Sequence, residues 1–269
     1  ISYNPTTRAE MREDVLTFDV AANTGDKFRS ANIALVNELG QRGESFVIVQ
    51  RSSNAGEAVV FEDPRVEALC VARYDVHLDG KLTYEEIATV TDVKDLFLLD
   101  KKIVSFNEFE YFTSVTYLPY EMFADCTLLE SIKLPESITY IGSYAFRNCQ
   151  SLKSIVIPEG VKCRPDGDYY YEDYGYSWFA GCSSLESVIL PSTLEQLPSY
   201  CFENCVSLTT ITIPEGIDEI PYGCFSGCEQ LSTINIKTPI KKIASGAFRE
   251  CSMLTSFDLS HLSNSYDED

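Results

Sequence analysis

Residues 141–158 read I-G-S-Y-A-F-R-N-C-Q-S-L-K-S-I-V-I-P, and residues 205–214 repeat the second half of that phrase as C-V-S-L-T-T-I-T-I-P. The phrase occurs six times, beginning near Val115, Ile138, Val161, Leu194, Ile217 and Ile240, and each copy approximates I-x-x-I-x-x-x-x-F-x-x-C-x-x-L-x-x-I-x-I-P. Its Phe is Phe123, Phe146, Phe179, Phe202, Phe225 and Phe248, and its Leu is Leu129, Leu152, Leu185, Leu208, Leu231 and Leu254. The cysteines fall 23 residues apart from Cys126 to Cys149 and along Cys182, Cys205, Cys228 and Cys251. A period in the low twenties with one short alternating segment per unit describes stacked coils, because no single coil can bury its own apolar edge. The expected fold class is a repeat solenoid with a parallel sheet on one face, six coils over residues 115–262.

Apolar and polar residues alternate in Ser131-Ile132-Lys133-Leu134, Ser154-Ile155-Val156-Ile157, Thr210-Ile211-Thr212-Ile213 and Thr233-Ile234-Asn235-Ile236, as a half-buried strand requires. Ile and Leu then face inward. Ser131, Lys133, Ser154, Val156, Ser187, Ile189, Thr210, Thr212, Thr233, Asn235, Ser256 and Asp258 form one outward face. Small hydroxyls with exposed aliphatics suit docking better than catalysis, so Lys133, Val156, Ile189, Thr212 and Asn235 are candidate partner contacts. Regular spacing makes Cys126, Cys149, Cys182, Cys205, Cys228 and Cys251 part of the repeat, a ladder of small buried thiols that donate weakly to neighbouring carbonyls. Disulfides between coils, or metal held by Cys201 with Cys205 and Cys224 with Cys228, are the alternatives.

The phrase resembles the BspA-type leucine-rich repeat of bacterial surface proteins, with coverage of about 115–262. The resemblance implies a right-handed curved leucine-rich-repeat solenoid, an extracellular or outer-surface location with lipid anchoring of the full-length protein, and adhesion to host or matrix proteins.

Between Cys149 and Cys182 the interval is 33 residues, so the third coil carries about ten extra. The excess lies within Arg164 to Trp178, where Tyr169, Tyr170, Tyr171, Tyr174 and Tyr176 gather with the chain's only tryptophan and four acids. Insertions in solenoids often map to the binding face, and Tyr and Trp offer rigid contact area to sugar rings or protein side chains. These five tyrosines and Trp178 are candidate contacts; alternatively, the aromatics cover the apolar edge of the irregular coil.

Upstream, Asp63-Pro64 followed by Val66, Leu69 and Cys70 predicts a helix with an Asp cap and Pro in its first turn. Residues 75–86, D-V-H-L-D-G-K-L-T-Y-E-E, resemble an EF-hand loop, with Asp75, His77, Asp79, Lys81, Thr83 and Glu86 at its ligand positions and Gly80 at its turn. His77 stands where an oxygen ligand is expected, and no second copy is found. Two readings follow: weak calcium binding, or a metal-free helix-loop-helix cap over residues 58–114, completed by an irregular half-coil at Leu96 to Ser114.

Before that, Leu16, Phe18 and Val20, then Ala31, Ile33 and Leu35, then Phe46 and Ile48 alternate with polar neighbours, separated by turn signals at Asn23-Thr24-Gly25 and Glu38-Leu39-Gly40. Antiparallel strands are expected. The A-A-N-T-G and F-V-I-V-Q stretches resemble the closing half of a BACON-type immunoglobulin-like domain, placed at residues 1–52. Residues 263–269 form an acidic tail.

With 21 basic against 41 acidic residues, a net of -20, the chain repels phosphate backbones and anionic headgroups, so nucleic acid is not an expected partner. No apolar run is long enough to span a bilayer. His77 and His261 are the only imidazoles and no nucleophile motif is present, so an enzyme is not expected, although a pair of carboxylates of glycosidase type is not eliminated by counting. A protein or glycan at a cell surface is the expected partner; the alternative is a structural spacer without its own ligand.

Overall fold

The computed structural model describes residues 29–36, 42–50, 56–162 and 177–255. The chain divides into two compact units, residues 1–55 and 56–269. In the first, β1 (Arg29–Val36) and β2 (Arg42–Gln50) form an antiparallel hairpin with an irregularity between Ala34 and Val36. Leu16 to Val20 lies outside the described residues.

The second unit opens with α1 (Pro64–Tyr74) and α2 (Tyr84–Thr89). Asp63 caps α1 by accepting the Arg65 amide at 2.8 Å, Pro64 occupies the first turn, and Val66 and Cys70 are buried. Thr83 and Glu86 form a reciprocal capping box at the start of α2. Val66, Cys70, Leu82 and Ile87 join one contiguous core with Phe106, Phe123 and the coils beyond.

The remaining strands are β3 (Ser105–Phe106), β4 (Tyr117–Leu118), β5 (Ser131–Ile132), β6 (Tyr140–Ile141), β7 (Ser154–Val156), β8 (Ser187–Ile189), β9 (Thr210–Ile213), β10 (Glu219–Ile220), β11 (Thr233–Ile236) and β12 (Lys242–Ile243). They pair in parallel across successive coils: β3 with β5, β7 with β8, and β9 with β11 on one side; β4 with β6 and β10 with β12 on another. Alternation puts Ile155, Ile157, Ile211 and Ile213 inside, as expected. The principal ladder consists of parallel pairs in contact with one another (β5 beside β7, β8 beside β9) rather than a single uninterrupted sheet.

Opposite the strands, the Phe side chains stack into a column, with centroids 5.2 Å apart for Phe123 and Phe146, 5.4 Å for Phe146 and Phe179, 5.7 Å for Phe179 and Phe202, 5.4 Å for Phe202 and Phe225, and 5.6 Å for Phe225 and Phe248. Each buried ring contributes about 1.5–3 kcal/mol of transfer free energy, with about 0.5–1.5 kcal/mol more per aromatic pair. A backbone ladder accompanies the column: the amides of Phe123, Phe146, Phe179, Phe202 and Phe225 donate to Ala145, Trp178, Cys201, Cys224 and Ala247. Between Phe and Cys the chain turns through a left-handed residue at Asp125, Asn148, Gly181, Asn204, Gly227 and Glu250, which is why Asn, Asp and Gly dominate that position. Gly142 is required for another reason: a Cβ there would sit 2.6 Å from the Tyr120 nitrogen and 2.8 Å from the Leu118 oxygen.

The third coil keeps register despite its extra length. Lys162 bridges in parallel to Tyr140, and the chain rejoins the lattice where the Tyr144 amide donates to Ser177 at 2.7 Å. Residues 163–176, which include all five tyrosines of the insertion, lie outside the described residues, as do Ser256, Asp258 and the acidic tail.

Candidate functional site

The strand face carries two columns of outward side chains. The first is a hydroxyl row in which Ser154 pairs with Ser187 and Thr210 with Thr233, continued by half-buried Ser131, whose strand partner Ser105 is buried. The second sets Val156 beside Ile189 and Thr212 beside Asn235, whose amide donates to the Thr212 hydroxyl at 3.4 Å. Val156 is 58% exposed and Ile189 is 62% exposed, two aliphatics together in the middle of a polar face. Lys133 stands on the same face and pairs with Glu110 at 3.1 Å. Glu110 had not been singled out; it precedes the first copy of the repeat, so no periodic signal marks it.

Trp178 does not belong to this or any other contact surface. Its side chain is fully buried, Nε1 donates to the Ile141 carbonyl at 3.2 Å, and the indole packs edge-on against Phe179 at 6.3 Å. It sits immediately before a column Phe, where other coils place Ala145, Cys201, Cys224 or Ala247. A buried indole needs an acceptor for its N–H, and the Ile141 carbonyl supplies it. Ser177 is buried too and donates to the Tyr200 carbonyl at 2.8 Å, so the insertion ends before these residues.

The loop between α1 and α2 is closed by its own hydrogen bonds. Asp75 accepts the amides of Leu78 at 2.7 Å and Gly80 at 2.8 Å, and Asp79 accepts the amide of Lys81 at 3.0 Å. Glu86 accepts the Thr83 amide at 2.8 Å, the Thr83 hydroxyl at 3.0 Å and the Val76 amide at 3.2 Å, and faces His77 Nδ1 at 2.8 Å. Burial alone would raise the Glu86 carboxyl, but these donors hold it below its ordinary value. Where an EF-hand pairs with a second loop, this one pairs with residues just upstream: Val59 donates to Leu82 at 2.7 Å and Tyr84 to Glu57 at 3.2 Å. Among the described residues no three His, Cys, Asp or Glu side chains converge to hold a metal ion. The carboxylates of Asp75, Asp79 and Glu86 are instead engaged by donors from within the loop itself.

The cysteines form the expected column. Cys149 donates to Phe123, Cys182 to Phe146, Cys205 to Phe179, Cys228 to Phe202 and Cys251 to Phe225, at 3.0–3.2 Å. All nine cysteines among the described residues are free thiols. Burial pushes the Cys126 thiol up to about 12 and raises Cys149, Cys205 and Cys228 as well, which suppresses the thiolate that metal binding or nucleophilic attack needs.

Among solved structures the chain is similar to a T. pallidum leucine rich repeat protein (26% identity, TM-score 0.45, covering 53% of this chain and 62% of that one). It is also similar to a leucine-rich repeat protein from Bacteroides ovatus (28% identity, TM-score 0.40, covering 52% and 40%), and to a leucine rich cell surface protein from Faecalibacterium prausnitzii (23% identity, TM-score 0.31, covering 56% and 61%). The chain thus spans less than two thirds of the length of each. No curated protein matches it. The BspA type leucine rich repeat region is matched in six copies over residues 101–174 and 172–268, more than half of the chain. With coils, Phe column and Cys column all in that register, the chain belongs to the BspA type leucine-rich repeat family.

Proposed function

We propose that the chain is a binding module of a bacterial cell surface that receives a partner protein on its strand face. The observation that carries this reading is the exposed pair Val156 and Ile189, held in register at the centre of a hydroxyl-lined ladder. Protein interfaces place an apolar, water-excluding centre inside a polar rim, and this face has both parts. Lys133, Thr212 and Asn235 would contribute to the rim. A net charge of -20 opposes nucleic acid, and among the described residues no helix is long and apolar enough to cross a membrane. Tyr169, Tyr170, Tyr171, Tyr174 and Tyr176 offer a second contact region, for protein or glycan, because insertions on solenoids commonly extend the binding surface.

The test is binding to arrays of purified host extracellular-matrix proteins and glycans, with Ile189→Asp and a variant lacking residues 164–176 alongside. Ile189→Asp is expected to lower a specific protein signal by tenfold or more, on the order of one anchor residue at an interface. Uniform silence would favour a spacer. A protein signal indifferent to Ile189→Asp would remove the strand face from the reading.

A further inference from the structure

A cavity of about 410 Å³ opens between the segment after α2 and the first Phe turn, with Lys94, Asp95, Lys101, Tyr120, Glu121 and Asp125 on its wall. That volume falls within the roughly 300–1,000 Å³ of small-molecule sites. Met122 and Ala124, both buried, line it as well. Tyr120 is 63% exposed, yet it does not hang free. Its ring meets Tyr144 edge-on at 6.0 Å, and the Arg147 guanidinium lies over the Tyr144 ring at 5.3 Å. Arg147 also holds Glu121 at 3.1 Å and Asp125 at 3.5 Å, while the Asn148 side-chain amide donates to Asp125 at 2.8 Å. The aromatic platform and two of the carboxylates are thus fixed in advance, which limits the ordering cost of binding.

Charge on the wall is divided unevenly. Glu121 and Asp125 are paired with Arg147, whereas Lys94 and Lys101 form no ion pair among the described residues. Two ammonium groups therefore stand beside an exposed ring, with Asp95 as the wall carboxylate that Arg147 does not pair. An anionic group would find charge-assisted donors there. An anion alone would make no use of Tyr120 and would face Asp95. A pyranose offers an apolar C–H face to the tyrosine, hydroxyl donors to Asp95, Glu121 and Asp125, and, when oxidised to the acid, a carboxylate to the lysines.

We propose that this cavity binds a carboxylated saccharide, its ring stacked on Tyr120 and its carboxylate held by Lys94 and Lys101. The site is separate from the strand face and does not depend on that reading. The experiment is calorimetry on the full chain with digalacturonate, lactose, inorganic phosphate and a tetraglutamate peptide as probes. Digalacturonate is expected to bind, more weakly as salt rises, with about a tenfold loss in Tyr120→Ala and retention in Tyr120→Phe. Lys94→Gln and Lys101→Gln are each expected to weaken it by about tenfold. Lys94 is exposed, so its variant reads binding without disturbing the fold. Absence of heat with digalacturonate overturns the site. Equal binding of lactose overturns the role of the lysines. Phosphate or peptide binding that depends on the lysines and ignores Tyr120 overturns the sugar.

Discussion

The Sγ of Cys228 donates to the carbonyl oxygen of Phe202, one coil back, at 3.0 Å, and the same bond recurs along the stack. Each thiol is therefore a second donor to a carbonyl that already accepts a backbone amide of its own coil, Cys205 N–H at 3.1 Å in the case of Phe202. Cys228→Ala is expected to cost about 1–2 kcal/mol, combining the loss of that second hydrogen bond with a small void, read from urea unfolding. A native-state thiol reagent should label Cys251 before the other eight described cysteines, since Cys251 alone of them is only partly buried. Rapid labelling of Cys205 would contradict the burial that raises its thiol.

The Phe column predicts a gradient along the coils. Phe202 is sandwiched between Phe179 and Phe225, whereas Phe248 stacks on Phe225 and is only partly buried. Phe202→Ala should lose about 3–5 kcal/mol. Phe248→Ala should lose visibly less, because stability in a stack is the sum of contacts with nearest neighbours. Equal losses in chemical denaturation would show that the coils do not behave as such a sum.

Glu86 makes the helix-loop-helix sensitive to acid. Its folded carboxyl lies below the ordinary 4.5, so the stability it lends is complete above that value and drains away as pH falls through the lower folded value. Glu86→Gln should flatten this acid limb in thermal melts. Calcium at millimolar concentration is expected to release no heat on mixing. A calcium heat abolished by Glu86→Gln would establish the metal reading of Asp75, His77, Asp79, Lys81, Thr83 and Glu86.

Glu108 carries the opposite sign. It is buried, accepts the Glu62 amide at 2.9 Å through one oxygen, and has no partner for Oε2 among the described residues. Burial raises its carboxyl above 4.5, so the favourable protonated form is lost as pH rises through the folded value. Glu108→Gln keeps the acceptor and removes the charge. Its Tm should rise by roughly 2–4 °C at pH 7, the shift that about 1 kcal/mol produces in a chain of this size, and by less at pH 4.

The coils were legible because a 23-residue interval ties Phe, Cys and Leu to fixed places, and the six Phe, the six Cys and Leu129, Leu152, Leu185, Leu208 and Leu231 all lie in the core or packed against it. Trp178 was misplaced by its neighbourhood: beside five tyrosines it reads as part of a recognition loop, yet its position one before Phe179 already marked a core column. The loop at 75–86 spelled out its ligand types without showing that Thr83, Val76, Leu78 and Gly80 occupy the carboxylates. The cavity beside Tyr120 was invisible because it joins a segment outside the repeat to a turn within it. Spacing reports what recurs; it carries no information on what two unlike segments make where they meet.

Lys162 and Ser177 both keep their places in the ladder between coils, so the extra length between them does not shift the register on either side. Lineages could diversify that stretch freely, and an engineer could graft a foreign epitope onto it, while the scaffold continues to assemble unchanged.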